Sequence, residues 1–255
     1  KDTLVADYNH LEEVKAIFEQ SGKEIAAVIV EPVAGNMGVV PPEKGFLEGL
    51  RELCDDYGSL LIFDEVMTGF RVSRGGAAEL FGIKPDMITL GKIVGGGMPL
   101  AAYAGRKEIM EMVSPLGGVY QAGTLSGNPM AVTAGLAQMQ VLLSQNPWAL
   151  LEEKGKWLEN AIKEAARSSG LKIQINRVGS MLTVFFSEVP VVDTATALAS
   201  DAKQFSKFFH GMLKRGIYLP PSQYEAAFLS TEHSESVLEK IASAAKEVFQ
   251  EMSRS

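Results

Sequence analysis

The segments LLIFDEVMTGFR (Leu60–Arg71) and ITLGKIVGGGMPLAAYAG (Ile88–Gly105) decide the fold of this chain. In each, a short apolar run without alternation gives way at once to a charged or glycine-rich turn, which is the pattern of a buried strand. IAAVIVEPV (Ile25–Val33) reads the same way, as a fully buried strand covered on both faces. Between these runs the spacing is helical. One helix is expected over Leu11–Gln20 and another within Glu43–Asp56, carried by Phe46, Leu50 and Leu53 and stopped at Gly58. A short helix over Ala77–Phe81, strands over Met87–Leu90 and Leu100–Ala104, and a helix over Arg106–Met112 complete the alternation. The order predicts an α/β fold, doubly wound on a mostly parallel sheet.

Asn128 and Pro129 mark a helix start, and the apolar stretch Met130–Leu143 predicts a long, largely buried helix. The composition changes after SQNP. A charged amphipathic helix over Trp148–Arg167 is followed by strands over Lys172–Val178 and Met181–Phe186, then by helices over Asp201–Arg215 and Glu235–Met252. A large domain over residues 1–145 and a smaller α+β domain over 146–255 are therefore expected.

The 255 residues are 46% hydrophobic, enough for a substantial core. A formal net charge of -7 with no cluster of Lys and Arg makes nucleic acid and anionic membrane surfaces poor partners. No stretch reaches the roughly 20 apolar residues that span a bilayer. The single cysteine, Cys54, excludes an internal disulfide and points to an intracellular, reducing compartment. His10, His210 and His233 are widely spaced, so no metal site is expected.

Asp64 closes one buried run, and Lys92 stands two residues beyond another. In an open α/β sheet, ligands bind outside the carboxyl ends of the strands. A carboxylate and an amine at that edge are the two groups that pyridoxal phosphate needs above all: one keeps the ring nitrogen protonated, the other bonds the aldehyde and later moves protons. The plainer alternative pairs Asp64 with a neighbouring cation and leaves Lys92 in solvent. The glycines of GKIVGGG favour the cofactor, because they permit close backbone approach. They do not form a nucleotide phosphate loop, in which Lys follows the glycines.

Two loops add to the pair. In QAGTLSGNPMA (Gln121–Ala131), free N–H groups and hydroxyls from Gly123 to Asn128 precede a long helix, a natural place for a phosphate, although capping by Ser126 or Asn128 explains the pattern equally well. In EPVAGNMGVVPP (Glu31–Pro42), Asn36 is placed at the same sheet edge as a donor to a phenolate oxygen; turn formation by Gly35, Asn36 and Gly38 is the alternative.

Taken together, VIVEPVAGNMGVVPP (Val28–Pro42), LLIFDEVMTGFR, LGKIVGGGMPLAAYAG (Leu90–Gly105), YQAGTLSGNPMA (Tyr120–Ala131) and LPPSQYEAAFLSTEH (Leu219–His233) resemble the fold-type I, class III pyridoxal-phosphate aminotransferases. GNMG, and Met67 where other members often carry Gln, are similar to the aminomutase branch, which moves an amino group within one substrate. That resemblance implies conversion of (S)-4-amino-5-oxopentanoate (glutamate-1-semialdehyde) to 5-aminolevulinate for porphyrin synthesis, with the cofactor alternating between pyridoxal and pyridoxamine phosphate. The same resemblance implies that Lys92 forms the Schiff base, Asp64 binds the ring nitrogen, and Gly123 and Thr124 contact the phosphate of a cofactor shared across a homodimer interface. Asn36 would face the phenolic oxygen, and Glu225 would lie near the substrate. Cytoplasm, or plastid stroma in a plant or alga, is the implied location. The alternatives are an ω-aminotransferase with two separate substrates and an inactive fragment of the fold. The family's chains extend further at the N-terminus, where they carry a phosphate loop, an aromatic ring and a lid; this chain alone is therefore expected to be inactive.

Overall fold

The computed structural model describes residues 2–254. The chain forms two compact units. One comprises residues 2–6, His10–Pro32 and Glu43–Asn146; the other comprises Asp7–Asn9, Val33–Pro42 and the remainder from Pro147 onwards.

The first unit runs α1 (Leu11–Ser21), β1 (Ala27–Val30), α2 (Phe46–Tyr57), β2 (Leu60–Glu65), α3 (Gly76–Phe81), β3 (Met87–Leu90), β4 (Ala102–Gly105), α4 (Lys107–Met110) and α5 (Pro129–Gln145). Its sheet has the order β1-β2-β3-β4. β1 and β2 pair in parallel, as do β2 and β3, while β4 runs antiparallel to β3. The connections explain the directions: α2 and α3 carry the chain back for each parallel strand, whereas only a 3-10 turn and a short loop separate β3 from β4.

Burial in this sheet concentrates on β2, where Leu61 and Phe63 are fully enclosed. β1 differs from the expectation of a strand covered on both faces. It is the edge of this sheet, and Ile29 is 64% exposed. α5 differs in the same way, since only Ala131 and Gly135 are buried while Met130 and Leu136 are open to solvent. Helix existence was readable from its apolar run and its cap, in which Asn128 accepts from Ala131 N–H with Pro129 at the first position. Its burial was not, because a helix apolar on every side does not reveal which stripe packs.

The other end of β3 is pinned electrostatically. The Asp86 carboxylate accepts from Leu61 N–H at 2.7 Å and from Arg51 at 2.9 Å, and it pairs with Arg106 at 3.1 Å.

The second unit contains α6 (Trp148–Ser168), β5 (Gln174–Val178), β6 (Met181–Phe185), α7 (Thr194–Leu198), α8 (Ala202–Lys214), β7 (Ala227–Phe228) and α9 (Glu235–Met252). The three strands form an antiparallel sheet. Its core joins Leu158 and Ile162 of α6 to Phe205 and Phe208 of α8 and Val248 and Phe249 of α9. Phe208 stacks on Phe249 with centroids 5.0 Å apart, which makes these rings part of the core. A second cluster gathers Ala34 and Val40 around Phe185, Val191 and Ala197. No described helix is long and apolar enough to cross a membrane.

Candidate active site

β2 and β3 are parallel neighbours, so their carboxyl ends share one edge of the sheet. Asp64 is the penultimate residue of β2 and stands in register with Thr89 of β3. Its Oδ1 accepts from Val66 N–H and from the Thr89 hydroxyl, each at 3.1 Å. Among the described residues no cation pairs with Asp64, and Oδ2 takes no hydrogen bond. The plainer reading of Asp64 as one half of an ion pair is therefore not what the structure contains.

Lys92 opens a 3-10 turn over Lys92–Gly95, directly beyond β3. Its φ is +47°, the left-handed region that a non-glycine residue rarely occupies. Such a conformation costs of order 1–3 kcal/mol and persists only where the surroundings impose it. The surroundings here are glycines. A Cβ at Gly135 of α5 would collide with the Val94 carbonyl, so the turn and the helix meet backbone to backbone. The Lys92 side chain is exposed, and among the described residues it has no carboxylate partner.

Behind Asp64, Glu65 is 2% exposed and satisfied within the fold. Its carboxylate accepts from Thr68 Oγ1 at 2.9 Å, Ala77 N–H at 2.6 Å and Ala78 N–H at 3.0 Å. It thereby ties the turn after β2 to the start of α3, and Gly76, with φ +69°, leaves the room that a Cβ would take from it. Gly123 and Thr124 lie in an exposed turn ahead of α5, where Ser126 N–H donates to Gly123 O at 2.9 Å.

The segments that carry Asn36 and Glu225 are brought together in the second unit. Gly38 N–H donates to Tyr224 O at 2.7 Å, Val39 N–H donates to Thr183 Oγ1 at 3.0 Å, and that hydroxyl donates to Glu225 O at 3.2 Å. By these contacts the loop of Asn36 packs with β6 and the Glu225 segment. Both Asn36 and Glu225 are exposed.

Residues 2–245 match the profile of the aminotransferase class-III family. The chain belongs to that family. Among class-III relatives, the glutamate-1-semialdehyde 2,1-aminomutase of Sulfurihydrogenibium azorense is 57% identical over 247 residues, covering 97% of this chain and 58% of the relative. The chain therefore spans little more than half the length of that relative. A β-phenylalanine aminotransferase from Variovorax paradoxus superposes with a TM-score of 0.89 at 32% identity, over 96% of this chain and 56% of that one. A glutamate-1-semialdehyde aminomutase from Pseudomonas aeruginosa PAO1 shares the fold, with a TM-score of 0.86 at 23% identity, over 98% of this chain and 57% of that one.

Within this candidate site, sequence reasoning missed Thr89, Glu65 and the glycine contact between the Lys92 turn and α5. A hydroxyl on the strand beside a strand-end carboxylate was the available signal for Thr89. Glu65 had no comparable signal, because its backbone partners in α3 lie 12 and 13 residues further along.

Proposed function

We propose that the protein to which this chain belongs is a pyridoxal-phosphate aminomutase that converts (S)-4-amino-5-oxopentanoate to 5-aminolevulinate. One observation carries the reaction class: Asp64 and Lys92 stand at the ends of adjacent parallel strands, and neither is neutralised by an opposite charge among the described residues. The substrate assignment is supported by the aminomutase named at 57% identity.

The residues fit the cofactor. Pyridoxal phosphate, when bound, supplies an aldehyde that carries the amino group and a ring that accepts the electron pair of a broken carbon–hydrogen bond. Asp64 Oδ2 is the oxygen left to accept the ring N–H, and its negative charge favours the protonated ring. Lys92 Nζ is the amine for covalent attachment and for moving protons at the substrate carbons. The turn holding Gly123 and Thr124 offers N–H groups and a hydroxyl for the phosphate. In the second unit, Asn36 is assigned to the phenolic oxygen and Glu225 to the substrate.

The reading includes a homodimer, with each partner completing the other's site, and a cytoplasmic location. Residues 1–145 are assigned to the cofactor-binding domain and 146–255 to the small domain. Substrate and product are isomers, so the exchange needs no external amino acceptor. A second reading, an aminotransferase with two separate substrates, is favoured by the match to the Variovorax enzyme. Supplying the full-length protein with the amino aldehyde alone separates them: equimolar 5-aminolevulinate without added acceptor supports the mutase, and dependence on an added oxo acid supports the alternative.

A further inference from the structure

Asp64 has two oxygens, and the sheet treats them differently. Both donors, Val66 N–H and Thr89 Oγ1, converge on Oδ1 at 3.1 Å, while Oδ2 is left without a donor among the described residues. The first donor is local, two residues along the chain. The second comes from the neighbouring strand, where Thr89 is the register partner of Asp64 and lies three residues before Lys92. Register partners in paired strands project to the same face, and a β-branched side chain has few rotamers, so the hydroxyl is held in place. The bond therefore fixes the carboxylate's rotation and ties its strand to the strand that delivers Lys92.

We propose that Thr89 is the positioning residue that assigns the oxygens of Asp64, locking Oδ1 into the sheet so that Oδ2 is presented to the ring nitrogen of the cofactor. The proposal rests on the reading of Asp64 given above. Thr89 does not touch the cofactor in this account; it acts through Asp64. A hydroxyl at this position, and not merely a side chain of its volume, is what the site requires.

The test compares Thr89→Val, Thr89→Ala, Thr89→Ser and Asp64→Ala in the full-length protein, freed of cofactor and titrated with pyridoxal phosphate. Native near-UV circular dichroism is required of each variant. Affinity and the pH midpoint of the bound cofactor's visible band are both read. Losing a hydrogen bond to a charged group weakens binding about tenfold. Thr89→Val and Thr89→Ala are expected to show that loss and a displaced midpoint, with Thr89→Ser close to the parent on both. Wild-type affinity and midpoint in whichever hydroxyl-free variant folds overturn the proposal, as does a Thr89→Ser protein as impaired as Thr89→Ala. Asp64→Ala distinguishes the two levels: if it loses binding while Thr89→Val does not, only the role of Thr89 fails. If it binds normally, the reading of Asp64 fails.

Discussion

The Cβ that Gly96 lacks would lie 2.5 Å from the carbonyl oxygen of Ala134, so the turn that begins at Lys92 is seated on the backbone of α5. Gly96 also has φ +56°, which an alanine adopts at a cost. Gly96→Ala is expected to lose about 2–4 kcal/mol of stability, from strain and displacement together. Urea denaturation measures it, and a change below about 0.5 kcal/mol, typical of a surface site, contradicts the contact.

Glu65 is a buried carboxylate whose partners are all donors. Glu65→Gln replaces one acceptor oxygen with an amide donor, leaving one N–H group of α3 unmet. A loss of about 1–3 kcal/mol is expected by denaturant unfolding. An unchanged midpoint would show that the carboxylate does not hold the turn.

Asp86 makes stability depend on acid. Burial would raise its pKa, but Leu61 N–H and the charges of Arg51 and Arg106 outweigh burial and hold the carboxyl below its ordinary value. A depressed pKa contributes stability that is fully present above the unfolded value, near 4, and is lost as pH falls through the folded one. Asp86→Ala is expected to cost about 1–3 kcal/mol at pH 7, because Leu61 N–H loses its acceptor and Arg51 keeps only the more exposed Asp55 as a carboxylate partner. The difference from the parent should shrink below pH 4. A difference that stays constant down to pH 2 would contradict the ionic origin.

Burial pushes the Cys54 thiol up to about 11. At pH 8 only about one thiol in a thousand is ionised. Iodoacetamide should leave the folded protein unlabelled over an hour and modify it promptly in urea, as intact mass reports. Prompt labelling of the folded form would place Cys54 outside the core of α2.

Much of this architecture was readable because it is local. The strand Met87–Leu90 and the cap at Asn128 follow from short patterns, and Asp64 and Lys92 stand out where apolar runs meet charge. α7 escaped notice because five residues are too few for a period, and its signature is a capping box between Asp193 and Thr196. Ile29 and Leu136 misled for another reason: apolar residues announce that they pack, but not which neighbours cover them. The contact that holds the Asn36 loop was not readable, because its anchor, Thr183, is 144 residues away from Val39. Thr89 was hidden by its ordinariness, since threonine in a strand reads as a β former.

Covalent attachment is the most direct test of the central claim. Borohydride reduction of the full-length, cofactor-loaded protein, followed by peptide mass analysis, should place the pyridoxyl group on Lys92. Attachment to another lysine, or to none, would contradict the account.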